Sequence, residues 1–155
     1  MKTLFICTGN ICRSPTAHAI ARHQAKNLNL EDRFIFDSAG TDSYHNGEAP
    51  DLRSTKVGEE RGISFANIHS RKVKAQDFEE FDLILAMTRT HLKNLLQSSP
   101  AKHHHKIKLF LEFCEAENYW NDEVIDPYYG GSKGFVEVFD VIESAMENFF
   151  KKLNH

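Results

Sequence analysis

The sequence predicts an α/β fold, a parallel sheet with helices on both faces. Two observations carry this. Short apolar runs (TLFIC at 3–7, FIFDSAG at 34–40, DLILAM at 82–87) have the length and composition of buried parallel strands. They alternate with stretches whose apolar residues recur at helical spacing, and strands that alternate with helices are joined by right-handed crossovers, which makes them parallel. The 155 residues are 41% hydrophobic and 26% charged, enough for one globular domain spanning 1–155 with no linker.

The elements follow in order. After the first strand, Pro15 stands where a helix begins, with Ser14 as candidate N-cap, and PTAHAIARHQAKNL places Ala17, Ile20, Ala21 and Leu28 at roughly helical intervals. The second strand ends in a turn at Gly40. APDLRSTKVGEERG reads as a helix with Pro50 near its start and Gly62 near its end, and RKVKAQDFEEF holds a short helix ahead of DLILAM. THLKNLLQ is a helix closed by Ser98, Ser99 and Pro100, and HHHKIKLFLEF supplies the fourth strand. His103, His104 and His105 read as a solvated turn, because no companion cysteine or carboxylate pattern marks them as metal ligands. Beyond a polar loop at 115–133, Phe135, Val138, Phe139, Ile142, Ala145, Met146, Phe149 and Leu153 form one apolar stripe that should lie on the sheet.

Composition narrows function. A net charge of −3 offers no basic stripe for a nucleic-acid backbone, and no apolar run approaches the roughly 18 residues that span a membrane. No secretory leader is visible, and three cysteines, an odd number without a disulfide-framework spacing, suit a reducing compartment; the expected location is cytoplasmic.

In such a sheet, ligands bind beyond the carboxyl ends of the strands. There lies CTGNICRS, residues 7–14. A loop turning from strand to helix aims successive backbone N–H groups inward, and the positive end of the helix dipole backs them. Gly9 permits the turn. Arg13 adds a planar fork that grips two oxygens of one phosphate, which a lysine does not match. The same donors favour a thiolate at Cys7. Ser14 adds a hydroxyl hydrogen bond to the sulfur, and Asn10 tolerates the left-handed backbone of a tight turn while bonding neighbouring backbone groups. A buried cysteine or a surface arginine alone means little; the joint pattern after a strand and before a helix is restrictive.

With these residues in view, the sequence resembles the low-molecular-weight protein tyrosine phosphatases. The resemblance rests on CTGNICRSPTA at 7–17, DSAGT at 37–41, APDLR at 49–53, FDLILAM at 81–87 and DPYYGG at 126–131, and spans essentially the whole chain. It implies a four-stranded parallel sheet in a flavodoxin-like, Rossmann-like three-layer sandwich, and two-step hydrolysis of phosphotyrosine through a cysteinyl-phosphate, without metal or other cofactor. Cys7 would be the nucleophile, Arg13 the phosphate clamp and Asp126 the general acid and base. Thr8, Gly9, Asn10, Ile11, Cys12, Arg13 and Ser14 would bind the phosphate, with Asn10, Ser14 and Ser38 supporting the loop. Tyr44, Tyr128 and Tyr129 would line the entrance to the site. The implied partners are phosphotyrosine proteins, with phosphate and other oxyanions as ligands, and the protein would be a monomer or weak dimer. Where many members carry a histidine three residues before the arginine of HSRKV, this chain has Ile68, with His69 beside it; either the register shifts by one or the loop is supported differently.

Three rivals are weighed. Thioredoxin-coupled arsenate reductases need two further cysteines a few residues apart, and here only Cys12 and Cys114 remain. Phosphoarginine phosphatases of the family typically have threonine where this loop has Ile11. A docking module would use the cradle without turnover. Cys12 has two readings of its own: a small packed residue, or a redox partner that traps an oxidised Cys7 as a disulfide before irreversible oxidation proceeds.

Overall fold

The computed structural model describes residues 1–116 and 119–154, with Tyr129 described by its backbone alone. Strands β1 (Lys2–Cys7), β2 (Ile35–Gly40), β3 (Leu83–Ala86) and β4 (Ile107–Leu109) form a parallel sheet in the order β2-β1-β3-β4. β1 pairs with β2 from Lys2 opposite Ile35 to Cys7 opposite Gly40, and with β3 from Thr3 opposite Leu83 to Ile6 opposite Ala86. The chain therefore leaves β1 toward one side and later returns to pair on the other. A crevice opens at the carboxyl end of β1, where strand order reverses.

Residues of β1 alternate between two apolar layers, as the period of a strand requires. Phe5 and Cys7, with Leu83 and Leu85, face a core shared with α1 (Arg13–Asn27), α2 (Leu52–Glu60) and α6 (Gly131–Leu153). Leu4 and Ile6, with Ile84 and Ala86, face Phe78 of α3 (Ala75–Glu80) and Leu95 of α4 (Arg89–Ser98). The expected sandwich of helix, sheet and helix is present. The α6 stripe buries Phe135, Val138, Phe139, Ile142, Ala145, Met146 and Phe149, while Leu153 packs against its edge. Phe150 closes an aromatic cluster, its ring centroid 5.4 Å from Phe34, 6.0 Å from Phe36 and 5.2 Å from Phe149. Edge-to-face contacts of this kind add to area burial.

Several elements differ from the sequence reading. Helix α1 starts at Arg13, with Cys12 ahead of it and no side-chain cap, because the Ser14 hydroxyl is drawn into the loop instead. Helix α2 starts at Leu52 under an Asp51 cap that accepts the Arg53 amide at 2.8 Å. HHHKIKLFLEF yields only three strand residues. Its histidines lie in a 3₁₀ turn, Ala101–Lys106, and Phe110–Phe113 forms the short helix α5. His103 is not solvated: it is buried, with Nε2 3.1 Å from a Glu79 carboxylate oxygen, and His104 bonds the Ser99 carbonyl. Among the described residues no helix is long and apolar enough to cross a membrane.

Gly40 ends β2 against the turn that follows β1. A Cβ there would stand 2.4 Å from the Thr8 carbonyl oxygen and 3.2 Å from the Asn10 nitrogen. No side chain fits without displacing that backbone. Gly40→Ala is expected to lower stability by about 1–3 kcal/mol, the usual cost of overpacking, and to reduce turnover in the crevice more than a surface variant of equal instability. Urea unfolding and turnover, measured on the same preparations, check both effects.

Candidate active site

β1 delivers Cys7 to the crevice floor, and the chain then winds through five residues before α1 begins at Arg13. Asn10 sits at φ 56°, the left-handed region that its short amide side chain tolerates. Its Nδ2 donates to Ser14 Oγ at 2.7 Å, and its Oδ1 accepts the Arg71 amide at 3.1 Å. Ser14, fully buried, stands 2.9 Å from Cys7 Sγ and 3.4 Å from the Ala39 carbonyl. Ser14 Oγ accepts from Asn10, so its proton is available, and the shorter contact directs it at the sulfur. The Ser70 hydroxyl donates to the Gly9 carbonyl at 2.8 Å. The amides of Thr41 and Asp42 bond the Cys7 and Thr8 carbonyls at 2.9 and 3.2 Å. With its carbonyls engaged outward, the loop leaves its concave side to N–H groups.

Arg13 is nearly buried. One of its nitrogens donates to the Val124 carbonyl at 3.0 Å, and another lies 3.9 Å from an Asp126 carboxylate oxygen. Asp126 caps its own turn by accepting the Tyr128 amide at 2.9 Å. Cys7, Thr8, Gly9, Ile11, Cys12, Arg13, Asp42, Tyr44, His45, Asp126 and Tyr128 together line a cavity of about 230 Å³. Thus two loops about 110 residues apart in sequence meet over one thiol.

The predicted residues are not all placed alike. Tyr128 lies at the rim beneath the Arg53 guanidinium, 5.1 Å from its ring centroid, and Arg53 is held by Asp51 through two contacts of 2.9 and 3.0 Å. Tyr44, which also lines the cavity, is 87% exposed. The Tyr129 side chain falls outside the described residues. Ser38 is buried and its hydroxyl meets His18 Nδ1 at 3.1 Å, not a residue of the 7–14 loop. Burial holds the His18 imidazole down at about 4.

Ile68 resolves the departure at HSRKV. It is buried in the apolar core and His69 is exposed, so the register is unshifted and no imidazole from this segment reaches the loop. Support comes instead from the Ser70 hydroxyl and the Arg71 amide. Arg71 itself is fixed between Asp77, at 2.9 and 3.1 Å, and Asp37, at 3.0 Å. Sequence reasoning missed Ser70, Arg71, His45, Asp51, Arg53 and His91. The D-x-R spacing of Asp51 and Arg53 was a usable signal for an N-cap paired with an arginine; the others are brought in by topology.

Cys12 has a thiol pushed up to about 12, first by burial and then by Asp51, Cys7 and Asp126, against the pull of Arg13. It is therefore neutral under ordinary conditions. Burial likewise raises the Cys114 thiol far from titration, and all three cysteines are free.

A loop of inward N–H donors around a thiol, closed by an arginine and faced by a carboxylate, defines a phosphatase of the cysteine-loop class. The profile of the low molecular weight phosphotyrosine protein phosphatase family matches residues 2–155. A Schizosaccharomyces pombe member is 38% identical over 154 residues, 99% of this chain and 97% of its own. A crystal structure of the Entamoeba histolytica protein tyrosine phosphatase, with Hepes in its active site, superposes with a TM-score of 0.92 at 45% identity, covering 99% of this chain and 97% of that one. A Drosophila arginine phosphatase structure also superposes, with a TM-score of 0.88 at 33% identity, covering 100% and 99% of the two chains. The chain belongs to the low molecular weight phosphotyrosine protein phosphatase family.

His18 and His91 are both buried, and burial holds each near 4 instead of the usual 6.5. For a base whose folded value is depressed, the unfolded chain binds the proton more tightly. Their stabilisation is complete above pH 6.5 and is lost as pH falls from 6.5 toward 4, on the order of 3 kcal/mol per histidine. Thermal unfolding across that window should show the decline, and His18→Gln should remove about half of it, leaving the share that His91 contributes.

Proposed function

We propose that this chain hydrolyses phosphotyrosine in proteins through a cysteinyl-phosphate, and the observation that carries the proposal is the convergence of Cys7, Arg13 and Asp126 on one cavity. The Cys7 thiolate attacks phosphorus in line while the bond to the tyrosyl oxygen breaks. Asp126, as the acid, gives its proton to that oxygen. Arg13 and the loop N–H groups of residues 8–14 hold the phosphoryl oxygens, whose charge changes little in total but spreads in the transition state. Arg13 retains free N–H donors for this beyond the one given to Val124. In the second step the Asp126 carboxylate takes a proton from water as its oxygen attacks phosphorus. The S–P bond breaks, and the Ser14 hydroxyl stabilises the departing thiolate. Phosphate leaves and the thiolate is restored.

The cavity favours an aryl ester. Ile11 offers an apolar wall where a phosphoarginine enzyme has use for a polar one, and Tyr44 and Tyr128 add two aromatic rings to the cavity lining that a substrate ring can pack against. Tyr128 is braced by Arg53 and Asp51. The chain acts as one catalytic domain, a monomer or weak dimer working in the cytoplasm without a metal. Cys12, neutral and beside the nucleophile, serves as the thiol that captures a Cys7 sulfenic acid: the sulfenic oxygen leaves as water, one S–S bond forms, and a dithiol reductant later reverses it.

Three outcomes check this reading. Cys7→Ser abolishes turnover yet keeps phosphotyrosine binding, whereas a docking module would lose neither. Asp126→Asn lowers kcat on phosphotyrosine about 10²–10⁴-fold, with a smaller loss on an aryl phosphate whose leaving group needs no proton; equal losses on both would remove Asp126 as the acid. For the redox role, Cys12→Ser recovers less activity than the parent when reductant follows peroxide; equal recovery removes it.

A further inference from the structure

The first turn of α4 reaches the active-site crevice. His91 is buried there with both ring nitrogens occupied: Nδ1 lies 3.0 Å from Thr88 Oγ1, and Nε2 lies 2.7 Å from Thr8 Oγ1. Thr88 also caps α4, its hydroxyl oxygen accepting the His91 amide at 3.3 Å. Thr8, unlike the residues around it in the loop, is exposed, and it lines the cavity above Cys7. A side-chain chain thus runs from a helix cap, through an imidazole, to a hydroxyl at the phosphate site.

We propose that the Thr8 hydroxyl is a further substrate contact, donating a hydrogen bond to a phosphoryl oxygen, and that His91 is the positioning residue that turns it that way. The inference rests on the phosphate-binding role proposed above for residues 7–14.

The direction of the chain follows from proton counting. His91 is neutral, because burial first and the Arg13 charge second hold it near 4 while Asp126 pulls only weakly the other way. A neutral imidazole has one N–H. With phosphate bound, Thr88 Oγ1, which accepts the His91 amide through one lone pair, gives its own proton to Nδ1. Nδ1 is then the acceptor and Nε2 the donor, and Nε2 gives its proton to Thr8 Oγ1. The Thr8 proton is left for the cavity. The opposite tautomer would aim the Thr8 lone pairs at a dianion, so bound phosphate itself selects the first arrangement. A protonated His91 would keep Nε2 a donor but would lose the bond from Thr88.

The contact is made to the phosphoryl group before, during and after transfer, so it acts on binding more than on the chemical step. In Thr8→Val, inorganic phosphate should inhibit about tenfold more weakly and KM for phosphotyrosine should rise similarly, the size expected for a hydrogen bond to a charged group, with kcat within about twofold. Thr8→Ser restores both values. His91→Ala reproduces the Thr8→Val loss, His91→Gln recovers part of it through a side-chain amide donor, and Thr8→Val combined with His91→Ala is no worse than either alone. If His91→Ala fails to fold, the Thr8→Val and Thr8→Ser pair carries the test. Phosphate inhibition within twofold of the parent in Thr8→Val, or additive losses in the double variant, overturns the inference. Cys7→Ser, assayed alongside, separates this failure from a failure of the site as a whole: turnover that survives Cys7→Ser removes the cysteinyl-phosphate reading, and turnover lost there with Thr8→Val unchanged removes only the hydroxyl contact.

Discussion

One hydrogen-bonded chain sets the geometry of everything else: Cys7 sulfur to the Ser14 hydroxyl, Ser14 to the Asn10 amide, and Asn10 to the backbone of Arg71. The first two links are buried and the third is partly so, and a hydrogen bond left unmade in a buried place costs more than a made one contributes. Asn10 tolerates the left-handed backbone at the tip of the turn, and Ser14 gives up the helix cap it would otherwise form. The loop can therefore curl around the sulfur only while all three hold. Arg71 closes the far end, and its own position depends on two aspartates from different elements, Asp37 of β2 and Asp77 of α3. A tight anion cradle at one strand end is thereby referred to the sheet and to a helix on its opposite face.

The acid loop is tethered more lightly. The Val124 amide bonds the Met87 carbonyl at the end of β3, and the Val124 carbonyl accepts from Arg13. Arg13 thus has two duties, holding the backbone that carries Asp126 and, in the proposed mechanism, holding the phosphate. Its separation from the half-exposed Asp126 carboxylate is 3.9 Å, too loose to contribute much. A dianion in the cradle would take over the arginine and leave the carboxyl free to move protons. Tyr128, anchored through Arg53 to the cap of α2, connects the same loop to a third element.

Much of this was legible in the sequence, for identifiable reasons. β1 and β3 are buried apolar runs, and the α6 stripe is periodic over about five turns, so local pattern and burial agree there, while β2 is buried only over its last three residues. CTGNICRS was legible because its chemistry is contiguous: nucleophile, turn residue and clamp lie within eight positions. What failed was where tertiary demand outweighed local preference. Ser14 reads as a cap because serine caps helices, yet a buried sulfur and a buried amide compete for the same hydroxyl. The fourth strand ended early because the chain turns into α5 at Phe110, leaving β4 three residues of pairing with β3. His103 is polar and lies in a triplet, but packing against Glu79 buried it. His91 and Arg71 were invisible as site residues because they lie about 80 and 60 positions from the loop they serve, and only the strand order brings them to it.

The central claim is a covalent phosphoryl group on Cys7 during turnover, and rapid acid quenching followed by peptide mass spectrometry tests it most directly. With phosphotyrosine present, a phosphoryl adduct should appear on the peptide carrying Cys7, form as fast as phenol is released, and decay when substrate is exhausted. Sustained hydrolysis without that adduct, or an adduct on another residue, would contradict the account.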